Sequence, residues 1–198
     1  MHAILNRAKQ LEVFVRIDME SSAYADRTLR LFEEDFQPAY GDLVGVVIQS
    51  YLRRAADDVT NLIAVGARIR LCKGAYAEPS TVAFDKTSAI RASYIRLLEL
   101  LLDQGNYPAI ATHDPRLINH AVEFVERSAI PPERFEFQML YGVRRDLQHW
   151  LREQDFNVRV YIPFGTNWYP YLMRRLAERP ANVGFMVASI IKESVSRR

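Results

Sequence analysis

The sequence predicts an α/β fold of the (βα)8 barrel (TIM barrel) type, of which this chain carries about six βα units. Three observations predict it. An apolar run with strand character begins every 23–40 residues, and a helical pattern follows each run. Most of the runs are apolar throughout rather than alternating, as in parallel strands that helices cover on both faces. Polar residues stand repeatedly where these runs end.

The predicted strands and helices alternate along the chain. The strands are EVFVRID (12–18), LVGVVIQ (43–49), RIRLC (68–72), PAIAT (108–112), FEFQM (135–139) and VRVYIP (158–163). One helix, HAILNRAKQLE (2–12), precedes them, and the later helices are SAYADRTLRLFEEDF (22–36), YLRRAADDVTNLIAVG (51–66), DKTSAIRASYIRLLELLLDQG (85–105), DPRLINHAVEFVERS (114–128), GVRRDLQHWLREQ (142–154) and TNWYPYLMRRLAE (166–178). Gly66 and Gly105 end two of these helices, and Asp114 caps another that has Pro115 in its first turn.

The turn after the first predicted strand separates a barrel from a doubly wound, nucleotide-binding sheet. A doubly wound sheet usually carries a glycine-rich turn there, whereas this turn reads DMESSAYA (18–25), without a glycine. In a barrel, function gathers at the carboxyl ends of many strands. Polar or aromatic residues stand at those ends here, namely Asp18, Gln49, Lys73, Thr112, His113, Gln138 and Tyr161. The pattern therefore favours a barrel.

The number of units is two short of a closed barrel, which typically takes ~250 residues. The chain has 198 residues and opens on a helix that leads straight into a strand. We therefore expect an N-terminally truncated version of a larger protein, in which the first two strands are missing. An open sheet of six strands would leave two unpaired edges.

Composition and charge restrict the class of protein. A hydrophobic fraction of 49% and a charged fraction of 25% are ordinary for a globular domain, and a net charge of +2 argues against a nucleic-acid binder. The single cysteine, Cys72, excludes an intrachain disulfide framework. No apolar run approaches the ~20 residues of a membrane span, and the first residues lack a signal-peptide pattern. We expect a cytoplasmic protein.

The stretch RIRLCKGAYAEP (68–79) carries the densest candidate chemistry. Arg70 and Cys72 alternate along the strand and therefore point to the same side. If that side is the barrel interior, Arg70 is a buried cation that needs a partner, and Asp18 at the end of the first strand faces the same pocket. The Lys-Gly pair after the strand would bring a cation and closely approaching backbone to a ligand. Cys72 has no evident base partner and is interpreted as a small core residue.

Two other strand ends carry weaker candidates. ATHDP (111–115) places Thr112 and His113 just before a capped helix, where a lone histidine is more often structural than a ligand. Tyr161 in VYIPFG offers a flat wall with a polar tip for a small ring-shaped substrate, or simple core packing. No His, Cys, Asp or Glu grouping has metal-ligand spacing, so no metal site is predicted. The sequence has no G-x-S-x-G elbow, so a serine hydrolase lacks support.

The stretch YLMRRLAE (171–178) places two arginines side by side in apolar surroundings. On a helix Arg174 and Arg175 splay across one face, and Glu178 lies within reach of both. The pattern fits a surface ion-pair cluster or a clamp for an anion, and the position of this helix in the fold decides between them.

Seven motifs resemble, in order and spacing, those of the flavin-dependent proline dehydrogenases, and most of all the short monofunctional bacterial enzymes. They are RIDME (16–20), VVIQSY (46–51), RLCKGAY (70–76), ATHD (111–114), FEFQMLYG (135–142), VYIPFG (160–165) and YLMRRLAERPANVGF (171–185). The resemblance runs from about residue 10 to residue 185. It implies that residues 1–198 form part of one catalytic barrel, which holds FAD at the carboxyl ends of its strands.

The resemblance also implies the reaction. Family members oxidise L-proline to Δ1-pyrroline-5-carboxylate, the first step of proline catabolism, by hydride transfer from proline C5 to flavin N5. They pass the electrons to a membrane quinone, which allows a peripheral position at the inner face of the membrane. The positions that match cofactor-binding residues are Met19, Gln49, Arg70, Cys72, Lys73, Gly74, Ala75, Thr112, His113 and Gln138, with Lys86 as a candidate for the FAD phosphates.

The substrate site follows from the same resemblance. Arg174 and Arg175 match residues that grip the proline carboxylate, and Glu178 would hold their guanidinium groups in position. The positions that would wall the pyrrolidine ring are Tyr161, Leu140, Ala75 and Tyr76. Asp18 and Arg70 match active-site residues, and Arg70 near N5 would stabilise the negative charge that hydride transfer builds.

One family residue has no counterpart here. A substrate-binding lysine stands in the family on a strand upstream of RIDME (16–20), and these 198 residues do not supply it. Two alternatives therefore remain open. One is an inactive barrel remnant or binding module. The other is a barrel enzyme that acts on another small anionic substrate, whose phosphate Arg174 and Arg175 would bind.

Overall fold

Regular βα alternation organises residues 1–166, the part of the chain that the computed structural model describes. The chain divides into two units, the first Met1–Glu136 and the second beginning at Phe137. The elements of the first unit are α1 (His2–Gln10), β1 (Val15–Ile17), α2 (Ser22–Leu31), α3 (Gln37–Tyr40), β2 (Val44–Gln49), α4 (Ala55–Ala64), β3 (Arg68–Cys72), α5 (Thr87–Gln104), β4 (Ala109–Ala111) and α6 (Pro115–Arg127). Strand β5 (Glu136–Leu140) begins at the boundary, and α7 (Arg145–Glu153) and β6 (Val158–Tyr161) follow it.

The strands are parallel, and their order in the sheet is their order in the chain, β1 to β6. In the first unit, Val15 of β1 pairs with Val44, and Gln49 at the end of β2 pairs with Cys72 at the end of β3. Glu136 begins β5 and donates its N–H to the carbonyl of Pro108, just before β4, at 3.1 Å. Because the strands are parallel, their carboxyl ends meet at one edge of the sheet.

The core of the first unit lies around β2 and the helices that cover it. All six residues of β2 are buried, as a central parallel strand requires. Tyr94 of α5 is fully buried, and its hydroxyl donates to the carbonyl of Leu71 in β3 at 3.1 Å. That bond satisfies the polar end of a large apolar ring and fixes α5 against the sheet.

The predicted fold class, a βα-repeat chain of the barrel type with about six units, is confirmed. Strand β3 has the predicted bounds, and Asp114 caps α6 by accepting a hydrogen bond from the Arg116 N–H. Gly66 follows α4 with a φ of +70°, the left-handed conformation expected at a helix end. Gly105 also ends its helix, but in extended backbone.

Two predicted helices differ from the structure. The helix predicted at 22–36 is α-helical only to Leu31, and a π-helical turn then spans Phe32–Phe36 and buries both of its phenylalanines. The helix predicted at 51–66 begins only at Ala55. Residue Leu52 instead forms an isolated antiparallel bridge with Ala83, so a distant segment takes up the backbone groups that a helix would have used.

Candidate active site

Polar side chains of the first unit gather at the carboxyl ends of β1 to β4. Asp18 follows β1, Gln49 ends β2, Lys73 follows β3 and Asp114 follows β4. The parallel register brings these four positions to the same edge of the sheet, where barrel proteins place their sites. The sequence predicted three of them as site residues and treated Asp114 only as a helix cap.

Arg70 and Asp18 form an ion pair at this edge. The Arg70 Nη1 lies 3.6 Å from the Asp18 Oδ1, across the width of β2. The Arg70 side chain is only 13% exposed, whereas that of Asp18 is 68% exposed. The structure therefore supplies the partner that a largely buried guanidinium needs, and it leaves the carboxylate open to an approaching molecule.

Gln49 presents an unsatisfied acceptor. Its side chain is buried, and the amide Nε2 donates to the carbonyls of Met19 and Glu20, each at 3.3 Å. Within residues 1–166 the buried Oε1 accepts no hydrogen bond. A buried carbonyl oxygen without a donor is unfavourable by about 1–3 kcal/mol, so this position suits a ligand that brings a hydroxyl or N–H group.

Lys73 and Asp114 form a second, closer ion pair. The Lys73 Nζ donates to the Asp114 Oδ2 at 2.6 Å, and both side chains are mostly buried. Burial alone would raise the pKa of Asp114, but the hydrogen bond and charge of Lys73 hold the pKa below the usual value. The Asp114 carboxylate therefore stays charged at neutral pH.

The loop after β3 is packed closely on Tyr51. Gly74 has a φ of +99°, and a Cβ added to it would overlap the Tyr51 ring. Glycine is thus required twice, by the backbone conformation and by the ring beneath it. Burial, reinforced by the nearby Glu78 carboxylate, raises the pKa of Tyr51 to about 12, so the ring stays neutral.

Two carboxylates attach the same loop to the residues that follow β1. Glu78 accepts hydrogen bonds from the Ser22 N–H at 2.7 Å and from its hydroxyl at 2.6 Å, and these bonds lower the pKa of Glu78. The Tyr76 hydroxyl donates to Glu20. The sequence placed Tyr76 against the substrate, and the structure shows its hydroxyl engaged with a carboxylate that the sequence had not singled out.

The other predicted residues of the first unit occupy varied environments. Met19 and Thr112 are buried, Cys72, Gly74 and His113 are half-buried, and Ala75, Tyr76 and Lys86 are exposed. Cys72 is thus more accessible than the core residue predicted for it. Thr112 accepts a hydrogen bond from the Asp114 N–H at 3.1 Å and so supports the start of α6. Arg91 lies close to Asp114 and was not predicted, because only the folded chain brings α5 and α6 together.

The second unit holds the remaining predicted site residues that the structure describes. Leu140 pairs with Tyr161 in the register of β5 and β6, and the Tyr141 N–H donates to the Tyr161 carbonyl at 2.9 Å. Gln138 is buried on β5. Three predicted residues, Arg174, Arg175 and Glu178, lie outside the described residues.

The part of the chain that spans residues 1–166 contains no group of three or more His, Cys, Asp or Glu residues that could hold a metal ion. Its helices are all too short or too polar to cross a membrane.

Parallel strands in chain order, with charged side chains at their carboxyl ends, define a βα-repeat protein of the barrel type with a polar site at the barrel mouth. Comparison with known proteins gives the family. The sequence model described as "Proline dehydrogenase" matches residues 1–188. The chain therefore belongs to the proline dehydrogenase family.

Individual relatives agree with the family. The chain is 42% identical over 193 residues to "Proline dehydrogenase 1" of Bacillus subtilis subsp. natto. These aligned residues cover 98% of this chain and 63% of that protein. It is 42% identical over 189 residues to "Proline dehydrogenase" of Deinococcus radiodurans, covering 96% of this chain and 61% of that protein. The chain thus spans less than two thirds of the length of these curated relatives.

A solved structure shows the same fold. Proline utilization A from Bdellovibrio bacteriovorus, described as inactivated by N-propargylglycine, is 29% identical and superposes with a TM-score of 0.81. The match covers 88% of this chain and 21% of that much longer one.

Proposed function

We propose that the protein is a flavin-dependent proline dehydrogenase, which oxidises L-proline to Δ1-pyrroline-5-carboxylate in the first step of proline catabolism. One observation carries the proposal. A largely buried arginine, Arg70, is held by Asp18 at the carboxyl edge of the sheet, in a chain that belongs to the proline dehydrogenase family. Electron transfer to a quinone, and a peripheral position at the inner face of the membrane, are parts of the same proposal.

The residues at the strand ends fit FAD. The ribityl chain of FAD carries hydroxyl groups, which are the donors that the buried Oε1 of Gln49 lacks within the described residues. Its phosphates are anions, and Lys73 places a cation at the same edge of the sheet. Gly74 allows the backbone after β3 to lie directly against the Tyr51 ring, which fixes the loop next to Lys73. The other residues proposed to bind the cofactor are Met19, Cys72, Ala75, Thr112, His113, Gln138 and Lys86.

The reaction needs a hydride acceptor, a substrate clamp and a fixed positive charge. When bound, FAD supplies the two-electron acceptor for the hydride that leaves proline C5. Arg70, oriented by its ion pair with Asp18, stabilises the negative charge that accompanies this transfer. The secondary amine of proline loses its proton, so that the C5–N bond becomes the double bond of the product.

The substrate clamp belongs to the last part of the chain. In this proposal the guanidinium groups of Arg174 and Arg175 would bind the proline carboxylate with charge-assisted hydrogen bonds, and Glu178 would orient them. The residues proposed to contact the proline ring are Ala75 and Tyr76 in the first unit and Leu140 and Tyr161 in the second. Most of the rate enhancement comes from holding the reacting atoms at short range, because a bound, oriented pair reacts without further loss of freedom.

A colour test examines the proposal directly. The full protein, as its gene encodes it, is purified and its visible absorbance is recorded without oxygen before and after L-proline is added. We expect a yellow protein whose flavin absorbance bleaches with L-proline and not with D-proline. A colourless protein whose melting temperature does not rise with added FAD would falsify the proposal.

A further inference from the structure

Three charged side chains from three different elements converge at the carboxyl edge of β3 and β4. Lys73 follows β3, Asp114 caps α6, and Arg91 lies on the second turn of α5. The Lys73 Nζ is 2.6 Å and the Arg91 Nη2 is 3.8 Å from the same oxygen, Asp114 Oδ2. Two cations therefore face each other across one carboxylate.

Asp114 is held rigidly at the centre of this cluster. Its Oδ1 accepts a hydrogen bond from the Arg116 N–H, and its own N–H donates to the Thr112 hydroxyl, each at 3.1 Å. The carboxylate is thus fixed by the backbone of α6 on one side and by Lys73 on the other. A group held in this way sets the positions of the cations around it.

Arg91 still has hydrogen-bonding capacity to offer. Tyr94, one turn further along α5, anchors the helix to the Leu71 carbonyl and so fixes where Arg91 stands. The Arg91 Nη2 is too far from Asp114 for a hydrogen bond, and its buried Nε has no hydrogen-bond partner within residues 1–166. A guanidinium has five N–H groups in a planar fork that matches phosphate oxygens.

The charge of the cluster also favours an anion. Lys73 and Arg91 together carry two positive charges, and Asp114 neutralises one of them. The cluster lies at the N-terminus of α6, a helix of 13 residues, where the helix dipole adds further positive potential. Lys86, the residue predicted to meet the FAD phosphates, is exposed at the start of α5.

We propose that Arg91 is a specificity-determining residue that, together with Lys73, binds a phosphate of the dinucleotide cofactor, while Asp114 is the positioning residue that holds the two cations. The inference rests on the proposed flavin function and extends it to two residues outside the predicted site. Its consequence is that the protein distinguishes phosphorylated flavins from riboflavin through Arg91.

The test compares two ligands that share the isoalloxazine ring and the ribityl chain. FAD and riboflavin are each titrated into flavin-free full protein, and binding is followed by the quenching of flavin fluorescence. The variants are Arg91→Gln, Arg91→Lys, which keeps the charge, and Arg96→Gln as the matched control, an exposed arginine on the same helix. The melting temperature of each ligand-free variant serves as the measure of folding.

We expect Arg91→Gln to weaken FAD binding about 10-fold or more, the effect of losing one charge-assisted hydrogen bond, with riboflavin binding unchanged. Arg91→Lys should keep part of the preference for FAD, and Arg96→Gln should keep all of it. Equal losses for both ligands in Arg91→Gln, or no loss for either, would overturn the inference, as would an equal loss of FAD binding in Arg96→Gln. A wild-type protein that binds neither ligand would instead contradict the proposed flavin function and the inference with it.

Discussion

At the residue scale, the ion pair between Arg70 and Asp18 joins a mostly buried side chain to an exposed one at the carboxyl edge of the sheet. Arg70 is mostly buried, yet its Asp18 partner is mostly exposed, so the ion pair holds the arginine while the pair remains reachable from solvent. Screening by solvent makes this pair a small contributor to stability. Its value lies in orientation, because a guanidinium that is already fixed needs little reorganisation when charge develops beside it.

Gly74 provides a residue-scale prediction. In Gly74→Ala the new Cβ meets the Tyr51 ring and the residue must keep a φ of +99°, so we expect the free energy of unfolding to fall by about 2–4 kcal/mol. Gly66→Ala is the matched control, since Gly66 has a φ of +70° but no heavy atom within 4 Å of the added Cβ. Urea unfolding measures both, and equal losses would show that the Tyr51 contact contributes nothing.

Arg175 provides the second residue-scale prediction. Arg175→Met in the full protein removes one of the two proposed contacts with the proline carboxylate. We expect KM for L-proline to rise at least about 10-fold while the melting temperature stays within a few degrees of the wild-type value. Steady-state kinetics with an artificial electron acceptor would measure it, and an unchanged KM would remove the carboxylate role from Arg175.

At the scale of elements, the loop between β3 and α5 is attached to its neighbours on two sides. Ala83 bridges to Leu52 ahead of α4, and Glu78 bonds to Ser22 at the start of α2. Irregular backbone usually moves more than the strands it connects. These attachments restrict the motion of the segment after β3, which borders the candidate site.

The start of α6 yields the prediction at this scale. Asparagine caps helices as well as aspartate does, so Asp114→Asn keeps the cap and loses the ion pair with Lys73, whereas Asp114→Ala loses both. We expect Asp114→Ala to be less stable than Asp114→Asn by about 1 kcal/mol at pH 7. Urea unfolding provides the measurement, and equal stabilities would show that the cap contributes nothing.

The same variants test the pH dependence of the ion pair. Because the folded-state pKa of Asp114 lies below the usual value of 3.8, its stabilisation is present above that value and is lost as pH falls through the folded pKa. Wild-type protein should therefore lose more stability between pH 5 and pH 2 than Asp114→Asn does. An identical acid loss in the two proteins would contradict this assignment.

At the scale of the whole molecule, the order of strands and helices was easier to predict from the sequence than the contacts between distant residues. Runs such as LVGVVIQ (43–49) are apolar because a central parallel strand is buried on both faces, and this pattern is readable without a structure. The π-helical turn at Phe32–Phe36 and the Leu52–Ala83 bridge escaped prediction, because tertiary packing decides them. Arg91 escaped for the same reason, since 23 residues separate it from Asp114 and no local pattern links them.

Cofactor binding gives the prediction at this scale. A ligand that binds only the folded chain stabilises it by about 2.7 kcal/mol at a concentration 100 times its Kd. For a chain of 198 residues, that corresponds to a rise in melting temperature of about 5–10 °C. Differential scanning fluorimetry with FAD tests it, with NAD as the control dinucleotide, and an equal shift with NAD would argue against a flavin-specific site.

The lone acceptor on Gln49 has a consequence for how the protein is made in the cell. Within residues 1–166 this buried oxygen has no donor, so a partner with a hydroxyl group would lower the free energy of the folded chain. Under the proposed flavin function, chains without the cofactor would unfold more often and be degraded sooner. The abundance of the protein would then follow riboflavin supply as well as gene expression.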